Sequence, residues 1–187
     1  GPGGKAALLG SLAGQYEARL TAVEVAPHRA DLVRQAVAGL PVDVVCADGR
    51  EVAGRPEVPL GGFDRVLVDA PCTGLGSLRR RPESRWRRQP SDLPPLTRLQ
   101  RELLAAALRL VRPGGTVAYV VCSPHVVETR VAVTETLRRL DLPIEPLDAR
   151  AALPPALAEL GPGPTVQLWP HRHATDAMFL ALLRRTG

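Results

Sequence analysis

Two short apolar runs in this chain end alike, and that repetition limits the folds open to it. Val66-Leu67-Val68 leads into Asp69-Ala70-Pro71-Cys72-Thr73-Gly74-Leu75-Gly76, and Val117-Ala118-Tyr119-Val120-Val121 leads into Cys122-Ser123-Pro124. Apolar runs of this length bounded by proline and glycine read as buried strands. Each delivers a cysteine to its carboxyl end, and the first delivers an acid as well. Open α/β sheets bind ligands in a crevice at the carboxyl ends of their strands, so two thiols placed there can face a common site.

The rest of the chain alternates strand and helix. Gly1-Pro2-Gly3-Gly4-Lys5 runs into a helical apolar pattern and reads as a strand-to-helix turn, where backbone N–H groups can approach a ligand at the helix N-terminus; a leftover Gly-Pro tag is the plainer alternative. The strand over 19–25 carries Glu24 at its end. An acid there, about 20 residues past a glycine turn, takes a ribose hydroxyl pair in nucleotide-binding α/β units. A helix over 27–38 presents Leu32, Val33, Ala36 and Val37, and a strand over 42–46 leads to Asp48. Asp48 either meets the ligand's base or caps the turn before Gly49. Cys46 lies inside that strand and reads as core.

The strand over 63–69 is followed by a long loop, 70–90, dense in arginine: Arg79, Arg80, Arg81, Arg85, Arg87 and Arg88 surround Trp86. Guanidinium groups pair with phosphates and an indole can stack on a base; a merely solvated basic loop is the alternative. A helix over 96–111 follows, stopped by Pro113-Gly114-Gly115. A helix over 127–140, a Pro/Leu-rich connection and a final strand over 177–184 complete a single α/β domain spanning 1–187, with no internal repeat.

A net charge of +5 suits an anionic partner. Three cysteines form no disulfide framework, which favours a reducing cytoplasm. No apolar stretch is long enough for a bilayer, and the start does not resemble a signal peptide. Cysteine spacing gives no zinc site, and His171-Arg172-His173 lacks a ligand cluster, so no metal is expected. A protease-like pairing of Cys122 with His125 would leave the glycine turn and the strand-end acids without a role.

One chemistry uses all of these groups. A thiolate adding to carbon 6 of a pyrimidine pushes electron density onto carbon 5, which can then attack an electrophilic methyl. An acid at the ring nitrogen stabilises the developing charge. A second basic group removes the carbon 5 proton so that the thiol can leave. Cys122, Asp69 and Cys72 fit these three roles, and an arginine near either thiol would favour its thiolate.

These residues resemble the RNA cytosine-5 methyltransferases of the Sun/Fmu family, closest to the bacterial ribosomal RNA small subunit methyltransferase B type. The resemblance rests on Pro2 to Lys5, Asp69 to Gly76, Arg79-Arg80 with Pro82-Glu83, Arg85-Trp86, Leu99-Gln100 with Leu103-Leu104, Arg112 to Gly115, Cys122-Ser123-Pro124, Pro170-His171 and Asp176 to Phe179. It implies a Rossmann-like sheet with helices on both faces and S-adenosyl-L-methionine as cofactor. Gly1 to Lys5 would form the cofactor turn, with Glu24 at the ribose, Asp48 near the adenine and Asp69 near the methionine end. Cys122 would be the nucleophile and Cys72 the releasing cysteine. Arg79, Arg80, Arg85 and Trp86 would meet RNA, ribosomal RNA being favoured by subtype and transfer RNA the alternative.

The resemblance also places the family's first strand and its N-terminal RNA-binding domain before residue 1. Val121 stands in place of a common Thr, Glu24 in place of Asp, and Glu128-Thr129-Arg130 in place of Glu-Asn-Glu. Two further readings compete: an RNA-binding remnant that does not hold the cofactor, and a methyltransferase acting on an exocyclic nitrogen. Asp69-Ala70-Pro71-Cys72 differs from the Asn/Asp-Pro-Pro-aromatic motif of the latter.

Overall fold

The computed structural model describes residues 2–187. They group into two compact units, residues 1–60 and 61–187, where the sequence reads as one domain. Strands and helices alternate through both.

The first unit contains helix α1 (Gly4–Gln15), strand β1 (Leu20–Glu24), helix α2 (Pro27–Ala36) and strand β2 (Val42–Cys46). β1 and β2 pair in parallel, from Leu20 beside Val42 to Glu24 beside Cys46. Pro27 opens α2, where its missing N–H would have had no partner anyway. The buried face of α2 and its end is Ala30, Val33 and Val37, whereas Leu32 is exposed. The apolar face is thus rotated from the expected stripe, toward Ala30 and away from Leu32.

α1 packs through its glycines. A Cβ on Gly3 would lie 2.6 Å from the Ala36 Cβ, and one on Gly10 would lie 2.4 Å from the Val42 Cγ2. Gly3 also has a φ of 97°, in the left-handed region that glycine enters without strain.

The second unit holds strand β3 (Phe63–Asp69), short helix α3 (Ser84–Arg87), helix α4 (Leu93–Leu110), strand β4 (Val111–Val121), helix α5 (Arg130–Arg139), strands β5 (Ile144–Leu147) and β6 (Val166–Gln167), helix α6 (Pro170–His173) and strand β7 (Phe179–Arg185). The strand order is β3-β4-β7-β5, with β6 also paired to β7. β3 and β4 are parallel, and β7 is antiparallel to β4, β5 and β6.

α4 begins earlier than its apolar pattern suggests, because Pro94 and Pro95 fall in its first turn, where no N–H is needed. Its end also differs from expectation. The helix stops at Leu110, and Pro113-Gly114-Gly115 lies inside β4 as a bulge. Val111 pairs with Phe63 and Thr116 with Arg65, so several residues of β4 stand opposite two steps of β3. Gly115 is forced there: a Cβ would sit 2.8 Å from the Asp64 carbonyl oxygen.

Leu104, Leu108, Val117, Tyr119, Val121, Phe179 and Leu183 form the centre of the core where α4 and α5 cover the sheet. Burying each large side chain stabilises the unit by about 1.5–3 kcal/mol. Tyr119 meets Phe179 edge to face, with ring centroids 6.3 Å apart. β7 serves two clusters by alternation. Phe179, Ala181 and Leu183 enter this core, while Leu180 and Leu182 pack with Ala149, Leu160 and Val166.

Candidate active site

Parallel pairing brings the two strand ends of the second unit together. Asp69, the last residue of β3, stands beside Val120 of β4, and the Ala70 N–H extends the ladder by donating to the Val120 carbonyl at 3.0 Å. Both chains then leave the sheet side by side. The result is a pair of free thiols, Cys72 and Cys122, whose sulfurs lie 3.3 Å apart.

Three devices hold these loops. Gly76 donates its N–H to the Cys122 carbonyl at 3.0 Å and accepts from the Ala177 N–H at 2.9 Å. Arg88 reaches back to the carbonyls of Thr73 (3.1 Å) and Cys72 (3.3 Å). Glu128 is fully buried and accepts from the Thr73 N–H at 2.8 Å, the Thr73 hydroxyl at 2.5 Å, the Ser123 hydroxyl at 2.6 Å and the Gln100 amide at 3.0 Å. Gln100 also donates to the Pro71 carbonyl at 2.8 Å, and the Tyr119 hydroxyl donates to the Glu128 carbonyl at 2.8 Å. Neither Glu128 nor Gln100 is a sequence-predicted site residue. The signals for Gln100 are an amide lying on the apolar face of α4 and its place in the family's Leu99-Gln100 pattern. Glu128 has no periodicity signal, because residues 125–129 form turns and α5 begins only at Arg130; its one signal is its match to the first residue of the family's Glu-Asn-Glu.

The thiols are electrostatically unequal. The hydrogen bond from Cys72 draws the Cys122 thiol down to about 7, against burial and the negative charges of Asp69 and Asp176. The Cys72 thiol is pushed well above the ordinary range, first by its hydrogen bond to Cys122 and then by burial and by the charges of Cys122 and Glu128. Cys122 is therefore the sulfur that ionises first, and Cys72 is the sulfur that keeps its proton and donates it.

The arginine loop is less free than its composition suggests. Arg80 grips the buried Asp176 carboxylate with its Nε at 2.9 Å and with Nη2, and this guanidinium holds the Asp176 carboxyl below the usual carboxylate range. Arg80 is also the guanidinium that senses the charge of Cys122. Arg79 touches the Ala174 carbonyl at 3.3 Å. Arg85 and Trp86 lie in α3, and the Trp86 ring is 79% exposed.

In the first unit, Glu24 and Asp48 share the carboxyl edge of the β1–β2 pair. Glu24 accepts from the Ala26 N–H at 3.1 Å and pairs with Arg29 at 3.1 Å. Asp48 accepts from the Arg50 N–H at 2.9 Å and from its guanidinium, and the Arg50 hydrogen bonds lower its carboxyl below the usual range. The glycine turn is not brought to them. Gly3 lies against Ala36 and Val33, in the last turn of α2, whereas Glu24 engages the first turn of that helix. At 1.5 Å per residue these contacts are about 10 Å apart along the axis. The turn reading depends on a strand leading into α1. The tight glycine contacts seat α1 against α2 and the start of β2. Pro2 and Gly4 adjoin this turn, Lys5 lies in the first turn of α1, and Gly1 lies outside the described residues.

Among the described residues, no group of three or more His, Cys, Asp or Glu side chains could hold a metal, and no helix is long and apolar enough to cross a membrane. His173 instead closes a local clasp, accepting from the Trp169 N–H at 2.8 Å and meeting the Ala158 carbonyl at 2.9 Å.

A protein of Mycobacterium tuberculosis strain H37Rv, named as a methyltransferase, is 62% identical over 185 residues, covering 99% of this chain and 39% of its own length. The ribosomal RNA small subunit methyltransferase B of Vibrio cholerae is 33% identical over 189 residues, covering 98% of this chain and 39% of its own length. This chain thus spans well under half the length of either relative. The crystal structure of NSun6 from Pyrococcus horikoshii with SFG has the same fold, with a TM-score of 0.78 at 24% identity over 100% of this chain and 46% of that chain. The family model of the 16S rRNA methyltransferases RsmB/F matches residues 1–184, and the chain belongs to that family.

Proposed function

We propose that this chain carries the catalytic machinery of an S-adenosyl-L-methionine-dependent RNA methyltransferase that forms 5-methylcytosine in small-subunit ribosomal RNA. The observation that supports it most is the 3.3 Å pair of unequal thiols at the ends of two adjacent parallel strands. A methyltransferase acting on an exocyclic nitrogen has no use for such a pair.

In this reading the Cys122 thiolate adds to carbon 6 of the cytosine, and the ring electrons move toward carbon 5. A proton held between Asp69 and the ring nitrogen moves onto the ring as negative charge develops there, which stabilises the adduct. Bound S-adenosyl-L-methionine supplies the electrophilic methyl that carbon 5 takes up. Cys72 then acts as base toward the carbon 5 proton. Once Cys122 is a thioether it no longer accepts the Cys72 S–H as a thiolate, and Cys72 passes that proton to solvent before it takes the one on carbon 5. Removing the carbon 5 proton restores the ring double bond and expels Cys122 as thiolate.

Glu24 fits the cofactor's ribose. It ends β1, is half-buried, and each oxygen has one donor, which leaves lone pairs for hydroxyl groups. Asp48 fits an amino donor only in competition with Arg50. The glycine turn, at the other end of α2, fits the cofactor only if α1 moves. That observation favours a second reading, an RNA-binding remnant that does not hold the cofactor. Arg79, Arg85 and the exposed Trp86 serve RNA in both, and transfer RNA is the alternative substrate.

The deciding experiment has two arms. Calorimetry titrates S-adenosyl-L-methionine into the chain, and labelled methyl transfer to 16S ribosomal RNA and to transfer RNA is measured with wild type and Cys122→Ala. Binding, with transfer to ribosomal RNA that Cys122→Ala abolishes, supports the enzyme. RNA binding without cofactor binding supports the remnant, and full turnover by Cys122→Ala removes Cys122 as nucleophile.

A further inference from the structure

We propose that Glu128 is a positioning residue for the two thiols: its buried carboxylate ties the backbone after Cys72 to the backbone after Cys122 and so sets the distance between the sulfurs. The inference rests on the two-thiol reading above and assigns a role to a residue outside the reacting pair.

The bonding is organised around the cysteines. One Glu128 oxygen takes the Thr73 N–H and the Gln100 amide, and the other takes the hydroxyls of Thr73 and Ser123. Thr73 follows Cys72 and Ser123 follows Cys122, so one carboxylate bridges the two loops one residue from each sulfur. Gln100 completes the frame by donating to the Pro71 carbonyl on the other side of Cys72. Two N–H groups meet one oxygen and two hydroxyls meet the other, so both carboxylate oxygens are used.

The arrangement carries a visible cost. The Gln100 amide is turned so that its nitrogen serves two acceptors, and its buried oxygen has no hydrogen-bond partner among the described residues. A buried charge and an unmatched amide oxygen are poor ways to fill a core. Both are accounted for if the frame's product is the sulfur–sulfur contact, whose hydrogen bond weakens steeply with distance.

Charge and position predict opposite effects, which makes the proposal testable. Deleting the negative charge of Glu128 would by itself make nearby thiolates easier to form. Loosening the Cys72–Cys122 hydrogen bond would make the Cys122 thiolate harder to form. The other groups facing the pair are Asp69 at the end of β3, Asp176 ahead of β7, Arg80 and Arg88 from the loop after Cys72 and Tyr119 of β4. All are unchanged by substitutions at Glu128 or Ser123.

The experiment measures the rate at which iodoacetamide alkylates Cys122 against pH, read by peptide mass spectrometry. The full chain is used without RNA or cofactor, as wild type, Glu128→Gln and Ser123→Ala. The expected result is a Cys122 midpoint raised by about one pH unit in Glu128→Gln, or about tenfold slower alkylation near neutrality. A smaller shift of the same sign is expected in Ser123→Ala. An unchanged or lowered midpoint in folded Glu128→Gln overturns the proposal. If that variant does not fold, Ser123→Ala decides by the same criterion. A wild-type midpoint in the ordinary thiol range overturns the two-thiol reading itself, whereas a low wild-type midpoint indifferent to both substitutions overturns only the role of Glu128.

Discussion

Gly76 passes so close to Cys122 that a Cβ on it would lie 2.8 Å from the Cys122 carbonyl and 2.0 Å from the Ala177 carbonyl oxygen. Its backbone hydrogen-bonds both neighbours, so the loop after Cys72, the end of β4 and the approach to β7 form one seam. Both obstructing atoms are backbone and cannot turn aside. Gly76→Ala is therefore expected to destabilise the second unit by about 1–3 kcal/mol, measured as a lowered urea midpoint. An unchanged midpoint would mean that the seam opens freely.

Cys72→Ala removes the thiol that donates to Cys122. The Cys122 alkylation midpoint, expected near 7 in wild type, should rise in this variant, because burial and the charges of Asp69 and Asp176 remain and both disfavour the thiolate. An unmoved midpoint would locate the low value elsewhere than in the sulfur–sulfur hydrogen bond.

The same substitution tests release. With RNA and S-adenosyl-L-methionine, Cys72→Ala should accumulate a covalent protein–RNA adduct, visible as a slow band on a denaturing gel, while Cys72→Ala/Cys122→Ala should show none. A clean gel together with normal turnover would take Cys72 out of the mechanism.

Trp86 is exposed and contributes to no core cluster. Trp86→Ala should leave thermal stability within about 0.5 kcal/mol of wild type and weaken single-stranded RNA binding by about 1–3 kcal/mol, the worth of one stacked base. Equal RNA affinity in the two proteins would reduce the loop to a solvated surface.

Asp176 gives a pH signature. Its carboxyl is depressed in the folded protein by Arg80, so its contribution to stability is present above its unfolded value, about 3.9, and is lost as pH falls through the lower folded value. Asp176→Asn should lower the denaturation midpoint at neutral pH, and the gap from wild type should close in acid. A gap of constant size from neutral to acid pH would show that the charge contributes nothing.

How much of this was legible in the sequence depended on how local the cause was. β2 and β3 occupy the expected residues because an apolar run ended by an acid or a cysteine carries its own boundaries. The two thiols follow from those boundaries. Pro113-Gly114-Gly115 misled because a helix stop and a bulge use the same residues, and only the pairing of Phe63 and Arg65 distinguishes them. The glycine turn was placed by a motif whose geometry depends on a preceding strand, while the packing of Gly3 on Ala36 depends on α2. The frame role of Glu128 is not legible in the sequence, since its donors come from Thr73, Gln100 and Ser123, far from it or invisible to periodicity. Arg80 reads as a phosphate ligand for the same reason: its partner, Asp176, is distant in the chain.

The pairing of β7 has a consequence for how the second unit is assembled. β7 follows every other strand of the unit in sequence, yet it pairs with β4, β5 and β6. During synthesis those three strands emerge first and wait with unpaired edges, each a template for misassociation. The sheet closes only when Phe179 to Arg185 leave the ribosome, and contacts between such distant segments form slowly. Until β7 is made, the nascent second unit therefore carries open strand edges that only that one segment can cover.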